Sequence, residues 1–184
     1  ADWYLVFART SEKRFGLFLV HRNDPGVSFG APERKMGMRG SPTSDVVLDE
    51  VVLPESRLLG DPERGAQYIT EALLRSRLQM SAHALGIAAG ALDAALRYTG
   101  ERKQFGQEIA NFQMIRGMAA DMAVKVEAGR SVLRHACELF IDGDPDAKLQ
   151  ASIAKVLCSD AAMAVTTDAV QMHGGYGYIE DYAV

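Results

Sequence analysis

Arginine and amide side chains are concentrated in one short segment of the sequence. Residues 102–107 read Arg-Lys-Gln-Phe-Gly-Gln. Guanidinium and amide groups donate several hydrogen bonds, so such a cluster at the end of a helix could bind a phosphate group. In the structural alternative, Arg102 and Lys103 form the basic last turn of a helix that Gly106 caps. Local pattern alone favours this second interpretation.

A glycine-rich segment follows the last predicted helix. Residues 171–177 read Gln-Met-His-Gly-Gly-Tyr-Gly. No strand precedes this segment and no helix clearly follows it, so it is not a phosphate-binding loop of the usual strand–loop–helix kind. It indicates either a simple helix terminator or a place where the backbone comes close to a ligand.

The remaining reactive residue types do not form a recognisable site. The four histidines have no metal-ligand spacing, and we expect no metal site; they are His21, His83, His135 and His173. No Ser/His/Asp or Cys/His arrangement is suggested. Cys137 and Cys158 lie on apolar helical patterns, which favours buried free thiols over a disulfide.

Composition and charge exclude several classes of protein. The chain has 184 residues, of which 48% are hydrophobic and 24% charged, with a formal net charge of −4. These values are typical of a folded globular protein and exclude a disordered tail. A negative net charge is not the basic character expected of a nucleic-acid-binding protein. No apolar run reaches the roughly 18–20 residues of a membrane span.

The elements that must position these segments change in type near residue 62. Five of the six prolines lie at or before that residue. Three β-prone runs, at 4–8, 15–20 and 45–53, are separated by turn signals. We therefore expect residues 1–61 to form part of an antiparallel β domain. The sequence opens inside the first of these strands, so we expect the chain to be part of a longer protein.

Three long helices are predicted in residues 62–184. Apolar periodicity and stop signals place them at about 64–101, 112–141 and 146–172. Gly86 and Gly90 lie one turn apart on the first helix, and small residues at that spacing let another helix approach closely. The fold class is thus mainly α with a smaller β part, and helices of this length pack as a bundle.

Several motifs together resemble the acyl-CoA dehydrogenase family. Residues 98–107, followed by Phe112-Gln113, resemble the flavin-contacting part of that family, and so do residues 168–178. The β part agrees at Pro25-Gly26-Val27, at residues 35–41 and at 51–54. The resemblance runs over essentially the whole chain, in the order and spacing of the family.

The resemblance implies the fold, the cofactor and the partners. The family combines an N-terminal helical domain, a middle β domain and a C-terminal four-helix bundle. This chain would hold the later part of the β domain and most of the bundle. The implied reaction is α,β-desaturation of an acyl-CoA thioester, with FAD as cofactor and an electron-transfer flavoprotein as acceptor. A homodimer or homotetramer is implied, in the bacterial cytoplasm or the mitochondrial matrix.

The resemblance also assigns site residues. Arg102 is implied at the FAD pyrophosphate, where its planar fork suits two oxygens. The other implied cofactor-binding residues are Gln104, Phe105, Phe112, Gln113, Gln171, Gly174 and Gly175. Arg77 matches an arginine near the acyl-CoA pocket, and an internal salt bridge is the alternative role for it.

The catalytic base is not expected within these residues. Relatives place a Glu base either on the first helix or in a later C-terminal motif. Ser76 occupies the helix position here and cannot act as a carboxylate base, so we expect the base beyond residue 184. Glu71 and Glu101 match neither position and are expected to be solvated. Leu74 stands where many relatives have an Asp that touches CoA, which leaves acyl specificity open.

Four hypotheses are compatible with the sequence. The first is a fragment of an FAD-dependent acyl-CoA dehydrogenase. The second is a subunit or paralogue of the same fold that does not desaturate acyl-CoA. The third is an enzyme resembling acyl-CoA oxidases, in which oxygen accepts the electrons. The fourth is a helical interaction module unrelated to flavin.

Overall fold

The chain folds into two compact units, of residues Ala1–Glu71 and Ala72–Val184. A computed structural model describes residues 1–182 and 184. In that part of the chain, no helix is long and apolar enough to cross a membrane. No group of three or more His, Cys, Asp or Glu side chains is placed to hold a metal ion there.

Antiparallel strands build the first unit. Its main sheet has the order β1 (Trp3–Arg9), β2 (Phe15–His21) and β5 (Leu58–Leu59), and β3 (Val27–Phe29) pairs with β4 (Val46–Leu48) in a second sheet. Exposure alternates along β1, because successive side chains of a strand point to opposite faces.

A cluster of polar and aromatic side chains connects β1, the turn after β2 and the short helix before β5. Arg57 lies on a short 3-10 helix before β5, and its guanidinium is 2.6 Å from the Asp24 carboxylate. The same guanidinium lies 4.8 Å from the centroid of the Trp3 ring. Asp24 also accepts a hydrogen bond from the backbone N–H of His21 at 2.8 Å. That bond and the one from Arg57 hold the pKa of Asp24 below its usual value.

The predicted strand 45–53 is too long. The observed strand covers only Val46–Leu48. The backbone N–H of Asp49 donates to the carbonyl of Gly26 at 2.9 Å, which is the last hydrogen bond between β3 and β4 at this end. The next residue, Glu50, has a left-handed φ of 48°. A residue in that conformation cannot continue a strand. The β-branched residues that follow, Val51 and Val52, therefore lie outside any sheet.

Three long helices build the second unit. They are α1 (Gly65–Glu101), which begins within the first unit, α2 (Gln113–Ile141) and α3 (Ala147–His173). The predicted helices are confirmed, with bounds that differ by one residue. Their inward faces form two apolar clusters, and the buried members of the larger one include Leu85, Ala88, Leu92, Met122, Val126, Cys158 and Val165. Both cysteines are free, with Cys158 buried and Cys137 partly buried.

Among the described residues, no atom packs closely against Gly86 or Gly90 of α1. A Cβ built at either glycine would meet no atom within 4 Å. The close approach lies instead at Gly129 of α2, where a Cβ would be 3.1 Å from Leu85 and 3.5 Å from Cys158. Gly129 therefore lets the three helices meet, and its spacing to other small residues gave no sign of this.

Candidate functional site

A small β-hairpin follows the end of α1. The helix ends at Glu101, and β6 (Lys103–Gln104) pairs with β7 (Gln107–Glu108). Phe105 and Gly106 join the strands with φ angles of 53° and 80°, the left-handed pair that a two-residue hairpin turn requires. The predicted basic last turn with a glycine cap is therefore wrong, because Arg102 and Lys103 lie beyond the helix.

Phe105 combines backbone strain with exposure. A left-handed φ is unfavourable for a residue with a Cβ, and such residues concentrate at functional sites. Its side chain is 92% exposed. The nearest aromatic ring belongs to Phe112, at 6.1 Å between centroids and an angle of 88°. The two rings leave apolar faces free for a planar ligand.

The glycine-rich segment forms a tight turn at the end of α3. Gly174 has a φ of 59° and begins a 3-10 helix that runs to Tyr178. A Cβ built at Gly174 or Gly175 would meet no atom within 4 Å. A Cβ at Gly177 would instead overlap the carbonyl of Val170. The first two glycines therefore present bare backbone to open space, whereas the third permits close packing.

Both segments line one cavity of about 840 Å³. The structure places all eight sequence-predicted cofactor residues in its wall: Arg102, Gln104, Phe105, Phe112, Gln113, Gln171, Gly174 and Gly175. The lining residues that sequence reasoning missed are Tyr98, Ile109, Met114, Ile115, Met118, Met172, His173, Tyr176 and Ile179. Four of them, Tyr98, Met172, His173 and Tyr176, lie in the segments that carry the family resemblance but were assigned no role. The other five are apolar residues that nothing distinguished from core residues.

The charge of the cavity wall is positive. Among its lining residues in the described part of the chain there is no carboxylate, and Arg102 is the cation. Its backbone N–H donates to the carbonyl of Tyr98 at 2.9 Å, and its guanidinium lies 5.1 Å from the centroid of the Tyr176 ring. Burial raises the pKa of the Tyr98 hydroxyl, so the phenol stays neutral. The wall is thus suited to an anionic ligand.

The residues expected near the acyl-CoA pocket lie away from this cavity, on the first half of α1. Arg77 donates to the hydroxyl of Ser152 on α3 at 3.2 Å, and it takes part in none of the salt bridges of the described residues. Ser76 is exposed. Leu74 packs against a second apolar cluster with Phe140 and neighbours on α2, which gives it a structural role.

The expected solvated carboxylates behave as helix-surface groups. Glu71 is exposed and accepts a hydrogen bond from the Gln67 side chain at 2.9 Å, one turn earlier on α1. Glu101 is exposed at the last residue of α1. Neither carboxylate lines the cavity.

The cavity residues fit a dinucleotide flavin such as FAD. A guanidinium and three side-chain amides, those of Gln104, Gln113 and Gln171, can donate hydrogen bonds to phosphate and ribose oxygens. The glycine backbone is open to a close ligand, and the two phenylalanine rings offer faces for a base. Each donor type therefore has a matching acceptor on such a cofactor.

Comparison with known proteins gives two family matches. Residues 1–51 match the family description "Acyl-CoA dehydrogenase, middle domain". Residues 63–184 match "Acyl-CoA dehydrogenase, C-terminal domain".

Individual relatives agree with these matches. The chain is 47% identical over its full length to a cyclohexane-1-carbonyl-CoA dehydrogenase of Geobacter metallireducens, of which it covers 49%. It superposes on butyryl-CoA dehydrogenase from Megasphaera elsdenii with a TM-score of 0.93 and 39% identity, covering 99% of this chain and 48% of that one. A solved structure described as "PigA with FAD and proline" gives a TM-score of 0.93 at 27% identity, covering 98% and 48%. The chain thus spans about half the length of the relatives it matches.

Proposed function

The chain belongs to the acyl-CoA dehydrogenase family, and from that premise we propose that it is part of an FAD-dependent enzyme that desaturates acyl-CoA thioesters. One observation carries the proposal: the eight residues that the resemblance assigns to FAD lie in the wall of one cavity. They come from two segments that are more than fifty residues apart in sequence. The family matches at residues 1–51 and 63–184 support a domain boundary at residues 61–62.

The proposed binding roles follow from the chemistry of each side chain. Arg102 holds the pyrophosphate, because its planar fork can donate to two oxygens at once. The amides of Gln104, Gln113 and Gln171 orient ribose and phosphate oxygens. Phe105 and Phe112 receive the adenine or ribose end. The relative solved with FAD supports this assignment of the cofactor.

Two glycines without side chains form the remaining part of the proposed cofactor site. Gly174 and Gly175 let the cofactor approach the main chain, because neither carries a Cβ that would fill the space in front of it. Substituting either glycine would place a methyl group or larger side chain in that space.

The proposed chemistry divides between the cofactor and the protein. Bound FAD would supply the hydride acceptor, which no protein side chain can provide. A carboxylate base is needed to remove the α proton. Ser76 cannot perform that step, so we place the base outside residues 1–184. Arg77 is the residue of this chain that we assign to the neighbourhood of the acyl-CoA.

The proposed assembly is a homodimer or homotetramer that passes electrons to an electron-transfer flavoprotein. Exposed apolar side chains at the rim of the cavity support a shared cofactor site. Phe105 is 92% and Met114 is 83% exposed, and a second subunit would shield them from water. We propose that the enzyme is located in the bacterial cytoplasm or, in a eukaryote, in the mitochondrial matrix.

An anaerobic reduction experiment tests the proposed function. The full-length protein should be yellow as purified, and a saturated acyl-CoA should bleach its flavin absorbance in the absence of oxygen. Bleaching that oxygen rapidly reverses would assign the oxidase chemistry instead. A yellow protein that no acyl-CoA of any chain length bleaches would assign a subunit that does not desaturate, and a colourless protein that binds no added FAD would reject the proposal.

A further inference from the structure

Two separate segments form the cavity, so its shape depends on contacts that hold these segments in a fixed relative position. We call residues 102–113 the hairpin half and residues 171–176 the glycine half. The hairpin half begins directly after α1, and the glycine half begins within the last turn of α3. A cavity built in this way keeps its shape only if the ends of α1 and α3 are joined.

His173 joins those two helix ends. It is 4% exposed, one of three buried polar side chains in the described part of the chain. Its Nδ1 lies 2.8 Å from the carbonyl oxygen of Ala169, one turn earlier on α3. Because a carbonyl oxygen only accepts, Nδ1 carries the proton and donates it. This bond fixes the plane of the imidazole.

The fixed imidazole stacks on the last turns of α1. Its ring lies 4.3 Å from the ring of Tyr98, at an interplanar angle of 21°. The rings of Tyr176 and Tyr182 close around the pair, with Tyr182 edge-on to both His173 and Tyr98. Such offset and edge-on contacts define a geometry as well as burying area.

A backbone hydrogen bond connects the stacked Tyr98 to Arg102, the residue that we propose holds the pyrophosphate. The carbonyl of Tyr98 accepts the backbone N–H of Arg102 at 2.9 Å, and the carbonyl of Arg102 accepts that of Ile109. The guanidinium of Arg102 in turn lies over Tyr176, which belongs to the glycine half. A displacement of the Tyr98 ring would therefore displace the start of the hairpin half.

We propose that His173 is a positioning residue. It holds the hairpin half and the glycine half of the cavity in the relative position that FAD binding requires. The proposal rests on the proposed function, since the ligand is FAD. An aliphatic residue could fill the same volume, but it could neither donate to Ala169 nor stack on Tyr98. Phenylalanine could stack but not donate, which separates the two contributions.

The test compares His173→Leu, His173→Phe and a matched control in the full-length protein. Ser81→Ala is the control: Ser81 is 1% exposed and also donates to the carbonyl four residues earlier, that of Arg77, at 2.7 Å. It does not line the cavity. FAD affinity is measured by titrating each apoprotein and following flavin fluorescence, and the thermal midpoint of each apoprotein is recorded.

The expected order of FAD affinity follows from the contacts that each variant loses. His173→Leu loses the stack and the hydrogen bond, so its Kd for FAD should rise about tenfold. His173→Phe keeps the stack and should recover part of that loss. Ser81→Ala should keep the wild-type Kd even where its thermal midpoint falls as far as that of His173→Leu. Equal Kd values in all four proteins, or equal losses in His173→Leu and Ser81→Ala, would overturn the proposal.

Amide hydrogen exchange separates this inference from the proposed function. In the apoproteins, exchange of residues 102–113 should be faster in His173→Leu than in wild type or Ser81→Ala. If the wild type bound no FAD but showed this difference, the proposed function would fail while His173 kept its positioning role. Should His173→Leu not fold, His173→Phe carries the test, and wild-type Kd and exchange in that variant would overturn the inference.

Discussion

The two units of the chain are stabilised in different ways. Residues 1–71, which the structure describes completely, bury two hydrophobic side chains, Leu17 and Val20. The helical unit instead buries apolar side chains from each of its three helices in two clusters. The β unit compensates with side-chain contacts such as the cluster of Arg57, Asp24 and Trp3. The difference teaches that helix packing supports the candidate site, whereas specific polar contacts support the sheets.

The largest expected effect is on the core of the helical unit. Met122 is fully buried in the larger apolar cluster. Met122→Ala should destabilise this unit by about 2–5 kcal/mol, because it removes buried surface and leaves a cavity. Met163→Ala is the matched control, since Met163 of α3 is 70% exposed. Urea unfolding followed by far-ultraviolet circular dichroism measures both, and equal losses would contradict the division between core and surface.

A smaller effect is expected in the β unit, and it depends on pH. The folded-state pKa of Asp24 is lowered, so its contribution to stability is present above the ordinary value near pH 4 and is lost as the pH falls through the lowered value. Asp24→Asn should therefore be less stable than wild type at neutral pH, and the gap should close in acid. Hydrogen exchange of β2 amides at several pH values measures this gap.

Asp2 supplies the control for that experiment. Its carboxylate lies 3.7 Å from Arg22, and its side chain is 74% exposed. An ion pair of this kind contributes little to stability, so Asp2→Asn should exchange like wild type at every pH. A neutral-pH gap for Asp2→Asn as large as that for Asp24→Asn would show that general surface charge, and not the cluster around Arg57, stabilises the sheets.

The smallest expected effect distinguishes two glycines of α2. A Cβ at Gly117 would meet no atom within 4 Å, whereas one at Gly129 would be 3.1 Å from Leu85. Gly117→Ala should stabilise the helical unit by about 0.5–1 kcal/mol, because alanine is the better helix former. Gly129→Ala should gain less, since Leu85 must move. Thermal unfolding of the two variants measures the difference, and equal gains would show that Gly129 is not a packing constraint.

The sequence predicted the helices well and the turns poorly. The apolar period and the stop at Gly174-Gly175 placed the three helices to within a residue, because each helix buries a regular stripe. The hairpin at 103–108 was not predicted, since it needs a left-handed Phe105 that no propensity favours. The cluster of Arg57, Asp24 and Trp3 joins residues far apart in sequence, so no local pattern indicates it.

The candidate site was predictable only in part, and only through the family resemblance. Local pattern favoured a plain helix cap at residues 102–106, and the resemblance was needed to assign Arg102 and Gln104 to a cofactor. Both routes drew attention to the segments that contain His173 and Tyr98, but neither assigned a role to these two residues. They are far apart along the chain, so no local pattern indicates that their rings stack.

The affinity of the full-length protein for FAD after substitution of Arg102 tests the central claim most directly. Arg102→Ala removes the cation of the cavity wall, and charge-assisted hydrogen bonds are worth about 1.5–3 kcal/mol, so the Kd for FAD should rise about 10- to 100-fold. Arg97→Ala, at an exposed arginine of α1 outside the cavity, should leave that Kd unchanged. An unchanged Kd for Arg102→Ala, or an equal rise in both variants, would contradict the account.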